Sequence, residues 1–235
     1  MKKLIAIMLT LILAISMLTA CGGGSKPSNG NSSGNSSNTP PASTNSGGNS
    51  GGGSNANTPA QQNTEIIKSS ELITLEDAAR ITGVDMIVKK IDKVETMSPG
   101  EVKTQYDTDS MLFFTIDLYQ DAAYDLSNST HKSLLDSGGA KSYGETLRVA
   151  YENNPLEIKA YKDTLPIEGI GDWAYIWGSS KDSISIAYGD YFIIITIYST
   201  PKGSGFSDEE KIEWHIEKLT EAGKLAVERL EALIK

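Results

Sequence analysis

A break in composition near residue 64 limits what this chain can fold into. Residues 22–64 contain only small and polar side chains, with Lys26 as the single charge and nothing apolar larger than Ala or Pro. Apolar burial normally offsets the entropy lost on ordering a chain, so this stretch predicts a disordered tether. A flexible coil of this length has a root-mean-square span of roughly 35 to 40 Å. Folding is therefore expected only in residues 65–235, which suffice for one domain with a real core.

The chain begins with the pattern of an export signal. Lys2 and Lys3 precede an apolar run from Leu4 to Ala20, and Cys21, the only cysteine, follows. The end of this run resembles the lipobox of bacterial lipoproteins, whose cysteine sulfur receives a diacylglycerol and becomes the new N-terminus. We therefore expect a signal peptide over residues 1–20, and lipidation at Cys21 that holds the mature protein on the extracytoplasmic face of the cell membrane without a transmembrane helix. The alternative is an uncleaved signal anchor, although a spanning helix needs about 20 apolar residues.

Charge and cysteine content restrict the partners. Residues 65–235 carry 18 basic and 30 acidic side chains, a formal charge of −12. This balance argues against nucleic acid and against electrostatic adhesion to anionic lipid headgroups. A single cysteine excludes an internal disulfide and a zinc site of several thiolates. The expected partners are the membrane, through the lipid anchor, and an envelope protein or glycan. We expect no cofactor.

Local patterns in the first half of the domain predict helices and strands. Thr74 with Asp77 three residues on is close to a capping box, and Gly83 is a suitable left-handed stop for a helix over 75–82. The aromatic and β-branched run 111–120 predicts a strand, and a short helix is expected near 131–135. Alternation over 156–160 predicts a half-buried strand. Between Val84 and Lys103 we expect a short strand and then a longer irregular excursion.

The second half predicts an antiparallel meander and a long final helix. The runs 172–177, 183–188 and 191–198 have strand character, and Gly189-Asp190 suits a type II′ turn. Ser207 and Glu210 form a second capping box, ahead of an apolar stripe that includes Gly223 and that should lie across the sheet. The predicted fold is α+β: an antiparallel β-sheet flanked by helices, with a long C-terminal helix.

Two of these segments resemble a known group of proteins. The helix that ends at Gly83, and the run Gly169-Ile170-Gly171-Asp172-Trp173-Ala174-Tyr175, are similar to segments of small exported lipoproteins of Gram-positive bacteria. Those lipoproteins carry domains of unknown function, similar to the extracellular sensor domain of mycobacterial serine/threonine kinases and PsbP-like in fold. The resemblance implies a sensing or binding module without catalytic residues. Many of those domains have paired cysteines, which this chain lacks.

Signals for catalysis are weak in this sequence. The only histidines are His131, in a polar segment, and His215, beside the apolar stripe of the last helix, where a packed or surface histidine is expected. No G-x-S-x-G, H-E-x-x-H or S-x-x-K signature has a suitable context. Carboxylate pairs that meet only in the fold leave a hydrolase open as a third hypothesis, but we expect no enzyme.

Two constellations are candidates for binding. Trp173, Tyr175 and Trp177 share one face of a strand, and a row of rings that faces water would bind a glycan or peptide, whereas a row covered by the C-terminal helix would be core. Four aspartates offer oxygen ligands for calcium but match no EF-hand loop, and solvated turn carboxylates are the alternative: Asp107, Asp109, Asp121 and Asp125.

The leading hypothesis from the sequence is a membrane-anchored extracytoplasmic lipoprotein that acts as a binding, sensor-like or interaction module. The second hypothesis is a lipoprotein that binds a small ligand or glycan. A module that acts on a membrane partner should lose function when its anchor is removed, whereas an enzyme should keep turnover as a free domain. A long tether of low complexity suits a Gram-positive surface.

Overall fold

Seven antiparallel strands form one sheet within residues 65–154 and 156–235, the part of the chain that the computed structural model describes. The strands are β1 (Ile87–Val94), β2 (Glu101–Asp107), β3 (Phe113–Tyr119), β4 (Leu165–Pro166), β5 (Trp173–Trp177), β6 (Ser183–Tyr188) and β7 (Tyr191–Tyr198). The helices are α1 (Ser69–Leu72), α2 (Leu75–Thr82), α3 (Ser129–Asp136), α4 (Gly139–Asn153) and α5 (Asp208–Leu233), with 3₁₀ turns at Asp121–Ala123 and Lys159–Tyr161. The predicted α+β class is confirmed.

The most apolar strand, β7, lies at the centre of the sheet. The strand order is β1-β2-β3-β7-β6-β5-β4. Ile195 of β7 lies opposite Ile116 of β3 on one side and Ile184 of β6 on the other, and all three are fully buried. Phe192 is buried on the opposite face. The three predicted strands of this meander are confirmed, and Gly189 has the positive φ of 60° that the first central residue of a type II′ turn requires.

Both predicted capping boxes form. The hydroxyl of Thr74 accepts a hydrogen bond from Asp77 N, and the hydroxyl of Ser207 accepts one from Glu210 N, while each carboxylate accepts the cap residue's backbone N–H. Helix α5 therefore begins at the predicted point and packs its small and apolar side chains on the sheet. A Cβ at Gly223 would lie 3.0 Å from Ile186 Cδ1, so this glycine lets helix and sheet approach closely, as predicted.

Helix α4 covers the other face of the sheet, and no sequence pattern predicted it. Two glycines, Gly139 and Gly144, lower its intrinsic helix propensity. A Cβ at Gly144 would lie 3.0 Å from Phe192 Cδ2, and Ala140 and Tyr151 of the same helix are buried. Packing against aromatic rings therefore outweighs propensity here. The short helix predicted near residue 131 is confirmed as α3.

The strand predicted over 156–160 is wrong. Asn154 ends α4 with a φ of 36°, and its side chain accepts a hydrogen bond from Ile158 N at 2.7 Å and donates one to Ile158 O at 3.1 Å. This amide occupies the backbone groups that a neighbouring strand would need. Glu157 is also left-handed, with a φ of 51°, and the chain continues into the 3₁₀ turn Lys159–Tyr161.

The irregular excursion predicted before Lys103 is also wrong, because β1 and β2 form a hairpin. Ile87 lies opposite Asp107, and Val94 lies opposite Val102. The register shifts twice along β1, between Val88 and Lys90 and between Lys90 and Lys93. These bulges break the apolar alternation by which a strand is recognised in a sequence.

Candidate interaction surface

The aromatic row of β5 packs under α4, on the face of the sheet opposite α5. Trp173, Tyr175 and Trp177 are each half-buried. Their polar atoms are engaged: Trp173 Nε1 donates to Glu145 Oε1 at 3.1 Å, Tyr175 OH donates to Glu152 Oε1 at 3.0 Å, and Trp177 Nε1 donates to Ser185 Oγ at 2.9 Å. The row is thus partly covered, but by a helix that the sequence analysis did not predict.

A small cavity lies beside Trp173. It has a volume of about 100 Å³ and is lined in part by Gly144, Asp172 and Phe192. Ligand pockets usually measure about 300–1,000 Å³. The cavity is therefore smaller than a usual ligand pocket, and Trp173 packs against the second core cluster, which contains Tyr119, Ala140 and Phe192.

The aspartates considered for calcium are separate. Asp121 accepts a hydrogen bond from Ala140 N, and Asp125 accepts two from Ser127. Within residues 65–154 and 156–235, no group of three or more His, Cys, Asp or Glu side chains is placed to hold a metal ion. Cys21, the predicted lipidation site, lies outside the described residues.

Both histidines are buried and hydrogen-bonded to the backbone. His131 Nδ1 accepts from Asp125 N at 3.2 Å. His215 Nδ1 and Nε2 lie 3.0 Å from Ser180 O and 3.1 Å from Ser199 O. A neutral imidazole has a single N–H and donates to one of these carbonyls at a time. His215 therefore contacts both loops.

A cleft of about 500 Å³ lies above His215, between these loops and the start of α5. Its lining is mostly polar: Ser179, Ser180, Asp182, Tyr198, Ser199, Thr200, Asp208, Lys211, Ile212 and His215. Its volume falls within the usual range of ligand pockets.

A cluster of charges is buried on the α4 side of β2 and β3, and it too was missed. Lys103 Nζ lies 2.8 Å from Asp117 Oδ1 and donates a hydrogen bond to Glu101 Oε1 at 3.3 Å. Glu101 Oε2 accepts from Tyr119 OH at 3.3 Å. The contact between Lys103 Nζ and Asp117 Oδ1 is an ion pair without hydrogen-bond geometry. Among the described residues, Asp117 Oδ1 has no hydrogen-bond partner.

Burial dominates the electrostatics of this cluster. It raises the pKa of Asp117 to about 6, although the charge of Lys103 opposes the rise, and the neighbouring Glu101 adds to it. Desolvation lowers the pKa of Lys103, but the charges of Asp117 and then Glu101 outweigh it, so the pKa of Lys103 is raised. One ammonium group therefore holds two buried carboxylates, at a cost in desolvation.

The strand β1 exposes apolar side chains to an unusual degree. Ile87, Val88, Ile91 and Val94 have 61%, 47%, 56% and 42% of their surface exposed. Single exposed apolar residues are ordinary on a protein surface, but four within one eight-residue strand are a concentration of exposed apolar side chains. Met97, in the turn that follows, is 68% exposed.

Three lysines accompany these apolar residues. Lys90 Nζ and Lys93 Nζ lie 2.7 Å and 3.0 Å from the two carboxylate oxygens of Glu95, and Lys89 is exposed. Hydrogen bonds from Lys90 first, and then from Lys93, lower the pKa of Glu95 against its partial burial. Residues 87–95 carry three lysines against Asp92 and Glu95, so their formal charge is +1 on an acidic domain. We call Ile87, Val88, Ile91, Val94, Lys89, Lys90 and Lys93 the β1 surface.

The two edges of the sheet differ. Among the described residues, β1 pairs only with β2, so one side of an eight-residue strand presents unpaired backbone groups. The far edge is β4, which is two residues long and contains Pro166. Short edge strands and proline are common protections against unwanted pairing. Only the β1 edge is therefore long enough to accept another strand.

The sequence contained a partial signal for the β1 surface. The run from Ile87 to Val94 mixes aliphatic and lysine side chains without a turn residue other than Asp92. Asp92 is left-handed, with a φ of 46°, and its carboxylate accepts hydrogen bonds from Ser70 N and Ser70 Oγ in α1. These hydrogen bonds join residues that are 22 positions apart in the chain, so a local sequence pattern does not reveal them. They hold β1 against α1 despite its bulges.

Comparisons with protein families, with curated proteins and with solved structures found no match. In the described part of the chain, no helix has the length and apolar character needed to cross a membrane. Three features of the described residues are therefore candidates for function: the β1 surface, the Glu101–Lys103–Asp117 cluster and the cleft at His215.

Proposed function

We propose that this protein is a lipid-anchored, extracytoplasmic interaction module that binds a partner at the membrane surface through the β1 surface. The anchor is inferred from the signal-like start and the lipobox-like Cys21. The single observation that carries the interaction is the long apolar edge strand, exposed on a domain whose other edge is short and contains proline.

The energetics support a partner at this edge. Full burial of a Val or Ile side chain contributes about 1.5–3 kcal/mol, and each of the four apolar residues of β1 already has about half of its surface covered. A strand added at the edge would also give backbone hydrogen bonds to groups that β2 leaves unpaired. These gains act against the loss of translational and rotational freedom on association, so a weak, reversible complex is expected.

The second candidate is a module for a small ligand or glycan, and the cleft at His215 favours it. The cleft offers several hydroxyls, two carboxylates and Lys211, and Tyr198 stacks on Phe113 with ring centroids 4.6 Å apart. Trp214 lies next to His215, with a ring-centroid distance of 5.2 Å. A carbohydrate titration should change the fluorescence of Trp214 if sugars bind there, and no change would count against this candidate.

We expect no catalytic turnover from this protein. His131 and His215 are both buried, His131 Nδ1 accepts from Asp125 N, and both ring nitrogens of His215 face loop carbonyls, so we expect neither to serve as a general base. A hydrolase screen on the intact protein checks this expectation, and reproducible turnover that survives further purification would contradict it.

The experiment for the interaction module is site-specific photo-cross-linking in intact cells. A benzophenone amino acid replaces Ile91 in the β1 surface, and a matched form carries it at Leu156, which is 48% exposed elsewhere on the domain. We expect one protein adduct from position 91 and none from position 156. The same Ile91 form with Cys21→Ala should lose the adduct, since the anchor brings the module to its partner.

Two outcomes would contradict the proposal. The same adducts from both positions would indicate collision without a binding surface. Normal export without any adduct from position 91 would remove the β1 surface as the interaction site and leave the cleft at His215 as the main candidate.

A further inference from the structure

We infer that the partner presents an extended, acidic and apolar segment that pairs with β1 as an additional strand. This inference rests on the proposed function and specifies the chemistry of the partner. It follows from the charge of the β1 surface, from its unpaired backbone edge and from the unsuitability of the other occupants that the chain itself suggests.

A second copy of the chain is a poor occupant. A pair of two β1 strands would bring together two segments that each carry three lysines and only Asp92 as an acidic residue, and like charges across a strand pair are destabilising. Edge lysines and bulges are devices by which sheets avoid such self-pairing. Pairing of two β1 strands is therefore disfavoured, whereas pairing of β1 with an acidic strand is favoured.

The chain's own residues 22–64 are also unsuitable. They contain no acidic side chain and no apolar side chain larger than Ala or Pro. Such a segment would neither neutralise the lysines nor fill the apolar surface of β1.

A membrane surface fits the lysines but not the rest of the domain. Residues 65–235 have a formal charge of −12, which anionic lipid would repel. Unpaired backbone N–H and C=O groups are costly in hydrocarbon, so an open sheet edge is not a structure that enters lipid. A peptide strand, by contrast, satisfies those backbone groups.

An acidic strand satisfies all three features together. Its backbone would pair with the free edge of β1, and its apolar side chains would cover Ile87, Val88 and Ile91. Its carboxylates would approach Lys89, and also Lys90 and Lys93, which now share Glu95. The favourable alternation is thus apolar and acidic residues along one extended segment of about six to eight residues, the length of β1.

The test adds charge variants to the Ile91 cross-linking form. Lys89→Glu with Lys93→Glu reverses two exposed charges of the β1 surface, and Lys159→Glu with Lys224→Glu makes the same change in net charge at exposed positions elsewhere. We expect the adduct to fall about tenfold in the first pair, equivalent to about 1.4 kcal/mol, and to remain in the second. Mass spectrometry of the adduct should identify an acidic, apolar segment at the cross-linked site.

A second variant guards against damage to the hairpin, because Glu at position 93 would face Glu95. Lys89→Gln with Lys93→Gln removes the charges without adding repulsion, and we expect a smaller loss of the adduct. In the purified adduct, hydrogen exchange should be slower over residues 87–94, since the added strand covers their amides.

The outcomes separate this inference from the proposed function. An adduct that persists at full yield in the Lys89→Glu, Lys93→Glu form, or that maps to a basic segment, overturns the acidic partner but leaves an interaction module. An adduct to lipid or to a second copy overturns the strand partner, as does unchanged hydrogen exchange. No adduct in any form, despite normal export, refutes both.

Discussion

Replacement of Asp117 by Asn should make the domain more stable at neutral pH and have little effect in acid. Asp117 is 14% exposed at its side chain, and its pKa in the folded protein is about 6, against an ordinary value of 3.8. Between about pH 4 and pH 6 the folded protein therefore holds a proton that the unfolded chain has released. For such a group the free energy of unfolding falls as pH rises through this window.

The size of the effect follows from the two pKa values. The difference corresponds to about 3 kcal/mol at neutral pH, with about 1.4 kcal/mol for each pKa unit. Asn has nearly the shape of the protonated acid and carries no charge, so Asp117→Asn avoids this cost. Lys103 keeps Glu101 as its partner in the variant. The variant should thus gain up to about 3 kcal/mol near pH 7, and the gain should shrink toward zero below about pH 4.

The assay is urea denaturation of the intact chain, followed by tryptophan fluorescence at several pH values between about 4 and 8. Asp85→Asn, at an exposed aspartate, is the matched control and should follow the parent protein throughout. Parallel pH profiles for Asp117→Asn and the parent would refute the reasoning, because they would mean that Asp117 is ionised in both states. A loss of stability near pH 7 would show instead that the ion pair with Lys103 exceeds the cost of desolvation.

Three other substitutions test the packing and hydrogen bonds, each by the same denaturation assay. Gly100→Ala should lower the free energy of unfolding by more than about 1 kcal/mol, because φ is 79° and the new Cβ would lie 2.2 Å from Tyr124 Cε2; parent-like stability would mean that this ring moves freely. Thr74→Ala should cost about 1 kcal/mol through loss of the cap of α2, and no change would show that water replaces it. His215→Leu should cost about 1 kcal/mol through loss of the hydrogen bond from the ring N–H to a loop carbonyl, and no change would show that water replaces this bond.

The fold could be predicted where local signals and tertiary packing agree. The caps at Thr74 and Ser207 and the Gly189-Asp190 turn fix the ends of their elements through contacts within a few residues. Helix α4 could not be predicted in the same way, since its glycines oppose a helix and its stability depends on contacts with distant parts of the chain, such as that of Gly144 with Phe192. The false strand at 156–160 has the same origin, because the Asn154 side chain competes for the backbone of Ile158.

The candidate sites were harder to predict than the fold. The sequence placed Trp173, Tyr175 and Trp177 on one face, and the structure keeps them together, but it is α4 that determines their exposure. The β1 surface was missed because its bulges remove the period of two, and because Asp92 is held by α1. Lys103 and Asp117 are far apart in the chain and meet only through the pairing of β2 with β3.

The way the chain enters the domain has a mechanical consequence. The side chain of Gln120 accepts a hydrogen bond from Ile67 N at 2.8 Å and donates one to Ile67 O at 2.7 Å, as a neighbouring strand would. A few residues on, Tyr106 OH donates to Ile73 O, and Arg229 of α5 donates to Leu72 O. A force that pulls on the chain at residue 65 would act first on these side-chain hydrogen bonds, which join residues 67–73 to the sheet and to α5. The hydrogen bonds between paired strands would be loaded only later. The domain should therefore withstand a pull from its N-terminal side by sharing the force among several elements.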